Sequence, residues 1–209
     1  MVLRVGIVED DSLLRSTLTQ LLDSRNDVTV VSSSSTGQEL VALATEHQFD
    51  VALLDVHLGE GPSGFDIAQT IREINPRIGV VFLSSVKDPR LLGYRPTTLP
   101  RNARYILKSD VSDIEGLVTH LQSVAEVSTT SRADKLPRLP FTEAQIDILR
   151  LVAAGYSNAE IAQKRFVTEG AVEVAVSRLA KHLGLRDIPG GNRRVHIAAT
   201  FFREMGWTP

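Results

Sequence analysis

Apolar positions in the first 127 residues take two alternating forms: short unbroken runs, and longer stretches at helical spacing. The runs Leu3–Val8, Val28–Val31, Val51–Leu54, Gly79–Leu83 and Arg104–Leu107 are rich in Val, Leu and Ile and predict strands. Between them Leu13–Leu22, Gly37–Glu46, Gly64–Ile74 and Val111–Val127 repeat apolar residues every three or four positions and predict helices. Strands without polar alternation are covered on both faces. A strand-helix alternation therefore predicts an α/β unit with a five-stranded parallel sheet and right-handed crossovers.

From Ser128 to Leu139 the periodicity stops in a polar stretch, STTSRADKLPRL, which reads as a linker. Beyond it only helical spacing is found, over Thr142–Ala154, Ser157–Arg165, Thr168–Leu183 and Arg193–Met205. The expected organisation is an α/β domain over 1–127, a linker over 128–139 and a small all-α domain over 140–209.

Charge follows the same division. Residues 1–127 carry 11 Lys and Arg against 17 Asp and Glu, whereas 128–209 carry 12 against 8. The basic half is thus the one suited to nucleic acid. The 209 residues contain no cysteine, which excludes disulfides and thiolate metal sites, and the five histidines show no metal-ligand spacing. No run is long and apolar enough for a membrane span, and the acidic start does not resemble a signal peptide, so a cytoplasmic location is expected.

Chemistry is concentrated where the strands end. The first runs into Glu9-Asp10-Asp11, the third into Asp55, the fourth into Ser84-Ser85 and the fifth into Lys108. A parallel sheet gathers its carboxyl ends along one edge, and carboxylates placed there repel one another unless a cation is present. A few oxygen ligands suit Mg2+, which keeps several waters and favours phosphate oxygens. The expected reaction is phosphoryl transfer to a carboxylate: Asp55 attacks phosphorus, Glu9 and Asp10 hold the metal, Lys108 pairs with phosphoryl oxygen and Ser84 donates a hydrogen bond.

The pieces IVEDD, DVALLD, VFLSS and YILK, in this order and spacing, make residues 3–127 resemble the receiver domain of bacterial two-component systems. The resemblance implies a flavodoxin-like fold and phosphorylation of Asp55 by a histidine kinase. It also implies a metal set completed by Asp55 and the backbone carbonyl of His57, and a switch in which Ser84 moves and Tyr105 turns inward. Enzymatic work would be confined to the domain's own phosphoryl transfer and dephosphorylation. Two departures are visible. Gly59 stands where the family usually has proline, and the prolines at 89, 96 and 100 with Gly93 leave room for little more than one turn where the family has its fourth helix.

In the basic half, Ser157-Asn158-Ala159-Glu160 and Thr142 with Gln145 are capping-box patterns, and Thr168 is placed to cap the next helix. Two short helices about a tight turn describe a helix-turn-helix. FTEAQIDILRLVAAGYSNAEIAQ followed by VTEGAVEVAVSRLAKHLGLRD resembles the LuxR-type DNA-binding domain of NarL-like regulators. That resemblance implies DNA contact by Thr168, Glu169, Glu173, Val174, Ser177, Arg178 and Lys181. Arg186, Arg193 and Arg194 are further phosphate-contact candidates, and a homodimer would use the last helix, with Phe201, Phe202 and Trp207. Glu173 and Ala175 replace the usual lysine and histidine. This leaves as alternatives an adaptor that has lost DNA binding and, less favoured, a phosphohydrolase working through Asp55.

Overall fold

The computed structural model describes residues 2–59, 61–86, 88–93, 102–111, 113–125, 141–185 and 192–205. The chain divides into two compact units, one of residues 1–84 and 96–138, the other of 85–95 and 139–209.

The first unit is a parallel five-stranded sheet in the order β2-β1-β3-β4-β5, built from β1 (Leu3–Val8), β2 (Val28–Ser34), β3 (Val51–Asp55), β4 (Gly79–Ser84) and β5 (Ala103–Leu107). Helices α1 (Ser12–Asp23) and α4 (Ile114–Ala125) pack together, as do α2 (Gln38–Thr45) and α3 (Gly64–Ile74). Every residue of β3 and β4 is buried, as the unbroken apolar runs require. Leu18, Leu22, Leu53, Val81, Leu117 and Leu121 belong to one continuous core. Each such side chain is worth about 1.5–3 kcal/mol when removed from water.

Strand β2 continues through Ser32, Ser33 and Ser34, which alternation of apolar residues could not reveal. Its serines pair with Gly6–Val8 after a register shift at Val5/Gly6, and the Ser34 carbonyl accepts from the Glu9 N–H at 3.1 Å. The polar end of β2 therefore supports the acidic loop. Helix α4 starts three residues later than its periodicity suggests, at Ile114. After β4 the described chain makes a single 3-10 turn, Pro89–Leu92.

The second unit holds α5 (Glu143–Ala153), α6 (Asn158–Arg165), α7 (Glu169–His182) and α8 (Arg193–Glu204). Ile146, Leu149, Val152, Ile161, Val172, Val176, Leu179 and Ile197 fill its core. Both expected capping boxes form, Thr142 with Gln145 and Ser157 with Glu160.

Candidate phosphoryl site and DNA-facing helix

Three strand ends converge as parallel topology dictates. Val8 and Asp55 end β1 and β3, and Lys108 directly follows β5. Lys108 Nζ lies 2.8 Å from Asp55 Oδ2 and 2.9 Å from Glu9 Oε1. Oxygens of Glu9, Asp10 and Asp55 all lie within 4.8 Å of one another, with Glu9 and Asp55 buried and Asp10 exposed. One lysine thus faces three carboxylates. Burial, and then the neighbouring Asp55 charge, push the Glu9 carboxyl up to about 7 against the pull of Lys108. Burial disfavours the Lys108 charge, but its hydrogen bonds to Asp55 and Glu9 outweigh that and raise its pKa.

The donor set fits a divalent cation. Glu9 Oε2 is buried, lies 2.9 Å from Lys108 Nζ and takes no well-directed hydrogen bond. A single ammonium leaves the three gathered carboxylates with excess negative charge, which a divalent cation would offset. All three side-chain donors are hard oxygens, as Mg2+ prefers.

Local backbone explains how the loop is held. Asp11 caps α1, accepting from the Leu13 and Leu14 N–H groups at 2.8 and 3.0 Å. Arg15, one turn into α1, donates to the Glu9 carbonyl at 2.6 Å and to that of Asp10 at 3.3 Å. Sequence reasoning missed Arg15; its signal is a cation five residues after an acidic pair that opens a helix. The His57 N–H donates to Asp55 Oδ1 at 3.1 Å, the oxygen that does not accept from Lys108, while the imidazole is exposed. A Cβ at Gly64 would fall 2.1 Å from the Asp55 carbonyl oxygen, so glycine is what lets α3 begin against the strand end. Gly59 has φ +70°, in the left-handed region that proline cannot enter, and this accounts for the missing family proline.

Ser84 ends β4 almost fully buried, paired in register with Leu107, and Tyr105 lies half-buried on β5 opposite Phe82. Both therefore lie on the two strands next to β3 on the Lys108 side.

In the helical unit, α6 ends at Phe166 in the left-handed conformation (φ 54°), which turns the chain within two residues. Thr168 then caps α7, accepting from the Ala171 N–H at 3.2 Å. Val172, Val176, Leu179 and Ala180 anchor α7 in the core. Glu169, Glu173, Val174, Ser177, Arg178 and Lys181 are all exposed, as is Thr168. Val174 is 50% exposed, so its side chain does not pack away locally. Arg193 is exposed and Arg194 half-buried. The Arg194 guanidinium donates to Asn158 Oδ1 at 2.6 Å and to the Tyr156 carbonyl, tying α8 to the start of α6. Phe201 and Phe202 stack edge to face at 5.5 Å, Phe202 being 40% exposed. Arg186 and Trp207 lie outside the described residues.

Family models match both halves of the chain. Residues 5–99 match the response regulator receiver domain model, and residues 139–190 match that of the bacterial regulatory proteins of the luxR family. Over 197 residues the chain is 30% identical to the response regulator protein VraR of Staphylococcus aureus (strain N315), covering 90% of this chain and 93% of VraR. Among solved structures, the response regulator RcsB in complex with DNA superposes with a TM-score of 0.61 at 17% identity, over 98% of this chain and 99% of RcsB. The response regulator domain of Thermotoga maritima CheB superposes at 0.50 with 25% identity, over 61% of this chain and 99% of that domain.

Proposed function

Because the chain belongs to the response regulators that carry a LuxR-family DNA-binding region, we propose that phosphorylation of Asp55 by a histidine kinase sets how tightly it binds DNA. The observation that carries this reading is the Asp55 carboxylate held between Lys108 Nζ and the His57 N–H, beside Glu9 and Asp10.

Asp55 attacks phosphorus through a carboxylate oxygen, forming the new P–O bond. The bond to the donor breaks and its electron pair leaves with the donor. Lys108 then exchanges its contact with Asp55 for one to a phosphoryl oxygen. Ser84 moves to donate its hydroxyl to another, and Tyr105 turns inward into the space that Ser84 leaves. Glu9, Asp10, Asp55 and the His57 carbonyl would hold Mg2+, which neutralises charge on the transferred group when bound. The same carboxylate cluster serves dephosphorylation by water, the reaction's own reversal of the signal.

In the helical unit α7 is the reading helix. Thr168, Ser177, Arg178 and Lys181 supply phosphate contacts, and Glu169, Glu173 and Val174 face base edges. Glu173 is suited to a cytosine amino group and Val174 to a thymine methyl. The protein acts in the cytoplasm as a homodimer on a two-fold site, with Phe201 and Phe202 of α8 at the dimer contact. A receiver over residues 1–127, a linker over 128–139 and a DNA-binding domain over 140–209 complete this organisation, apart from residues 85–95, which group with the helical unit. No described helix is long and apolar enough to cross a membrane.

Intact-mass measurement after acetyl phosphate and Mg2+ tests the acceptor. One phosphoryl group is expected on the wild-type chain and none on Asp55→Asn; an unmodified wild type would overturn the assignment. Selection from a random DNA library tests α7. An enriched motif is expected, and failure to enrich any sequence would favour the adaptor.

A further inference from the structure

Only Ser85 separates Ser84, the last residue of β4, from Val86. Residues 85–95 nevertheless group with the helical unit, and Val86 (4% exposed) and Leu91 (2%) are part of the core that contains Ile146, Leu149 and Ile197. The turn between them is pinned. Asp88, fully buried, caps it by accepting from the Arg90 N–H at 3.0 Å. It also takes a two-pronged contact from the Arg90 guanidinium at 2.9 and 2.6 Å. The same guanidinium reaches Glu143 Oε1 at 2.8 Å and the Phe141 carbonyl, both at the start of α5. From α5, Arg150 donates to the Leu91 carbonyl at 3.4 Å.

A buried ion pair adds little net stability, because desolvation of both charges offsets their attraction; its use is to fix one geometry. Here it locks residues 88–91 to the first turn of α5, and α5 packs against α7. A loop that served only to connect would need neither two core side chains nor a buried arginine. A residue spans at most about 3.3–3.6 Å, so one residue between Ser84 and Val86 leaves little slack to absorb movement.

Resting on the reading that Ser84 moves when Asp55 is phosphorylated, we infer that residues 85–93 are a built-in part of the DNA-binding unit that passes the displacement of Ser84 to α5 and so to α7. The output then runs through the chain itself, at the place where this sequence has prolines in place of a fourth receiver helix.

The test lengthens the connection without touching the packed cluster. A Gly-Ser-Gly-Ser insertion between Ser85 and Val86 is made in the full chain, and affinity for a library-selected DNA site is measured with and without beryllofluoride and Mg2+. The expected result is a wild-type response of about tenfold that falls to about twofold or less in the insertion variant, with affinity in the absence of beryllofluoride unchanged. An insertion variant that responds like the wild type overturns the tether and leaves phosphorylation control standing. A wild type that shows no response overturns both. Should the insertion prevent folding, hydrogen exchange of the wild type decides. Beryllofluoride is expected to alter exchange across residues 86–93 and the first turns of α5, and unchanged exchange there alongside altered DNA affinity overturns the tether.

Discussion

Gly59 shows how one backbone angle accounts for a departure from the family pattern. At φ +70° it lies in a region closed to proline. Restoring the family residue with Gly59→Pro is expected to cost about 1–3 kcal/mol in thermal or denaturant unfolding. At the opposite edge of the sheet, Asp50 accepts from the Arg4 backbone N–H at 3.0 Å and from its guanidinium at 3.2 and 2.8 Å. Burial pushes the Asp50 carboxyl up, but these bonds outweigh it and hold the carboxyl below its ordinary 3.8. A depressed carboxyl stabilises the fold above its unfolded pKa and loses that contribution as pH falls through the folded value. Asp50→Asn should therefore cost about 1–2 kcal/mol near neutral pH, and the gap to wild type should close below about pH 4. A gap that stayed constant down to pH 3 would contradict this. Asp55, Glu9, Asp10 and Lys108 were legible from sequence because each stands where an apolar run stops. Arg15 was not, since its work is done on backbone carbonyls that no side-chain pattern displays.

Elements were legible wherever one period dominated. The buried runs of β3 and β4 and the capping boxes of α5 and α6 match their expected positions to within a residue. The last three residues of β2 are serines that pair because β1 is beside them, a tertiary cause invisible to local pattern. Helix α7 combines both kinds of information: its apolar stripe faces the core, and its exposed residues are those proposed to meet DNA. Two acids, Glu169 and Glu173, occupy its first turns, and Arg178 and Lys181 its last. Acids near a helix start are electrostatically favourable for the helix but oppose phosphate. Glu173→Lys should raise affinity for unrelated DNA and steepen its salt dependence by about one unit of log-log slope, while weakening preference for the selected motif. Binding measured across a salt series on both DNAs checks this, and an unchanged slope would place Glu173 away from the duplex.

At the scale of the whole molecule, two patterned halves were legible, an acidic α/β one and a basic helical one, and each contains one family match. The grouping of residues 85–95 with the helical unit was not. Val86 and Leu91 sit in a proline-interrupted stretch with no period, and the Asp88–Arg90 pair, two residues apart, looks from sequence like ordinary surface charge. Only packing shows that these side chains are buried, because the partners that bury them begin at Phe141. The central claim, that a phosphoryl group on Asp55 changes DNA binding, joins both halves. Its most direct measurement is the affinity of the full chain for a library-selected site, with and without beryllofluoride and Mg2+, in wild type and in Asp55→Asn. A change of about tenfold in the wild type that is absent in the variant is predicted; equal affinities under every condition, or an equal change in both proteins, would contradict it.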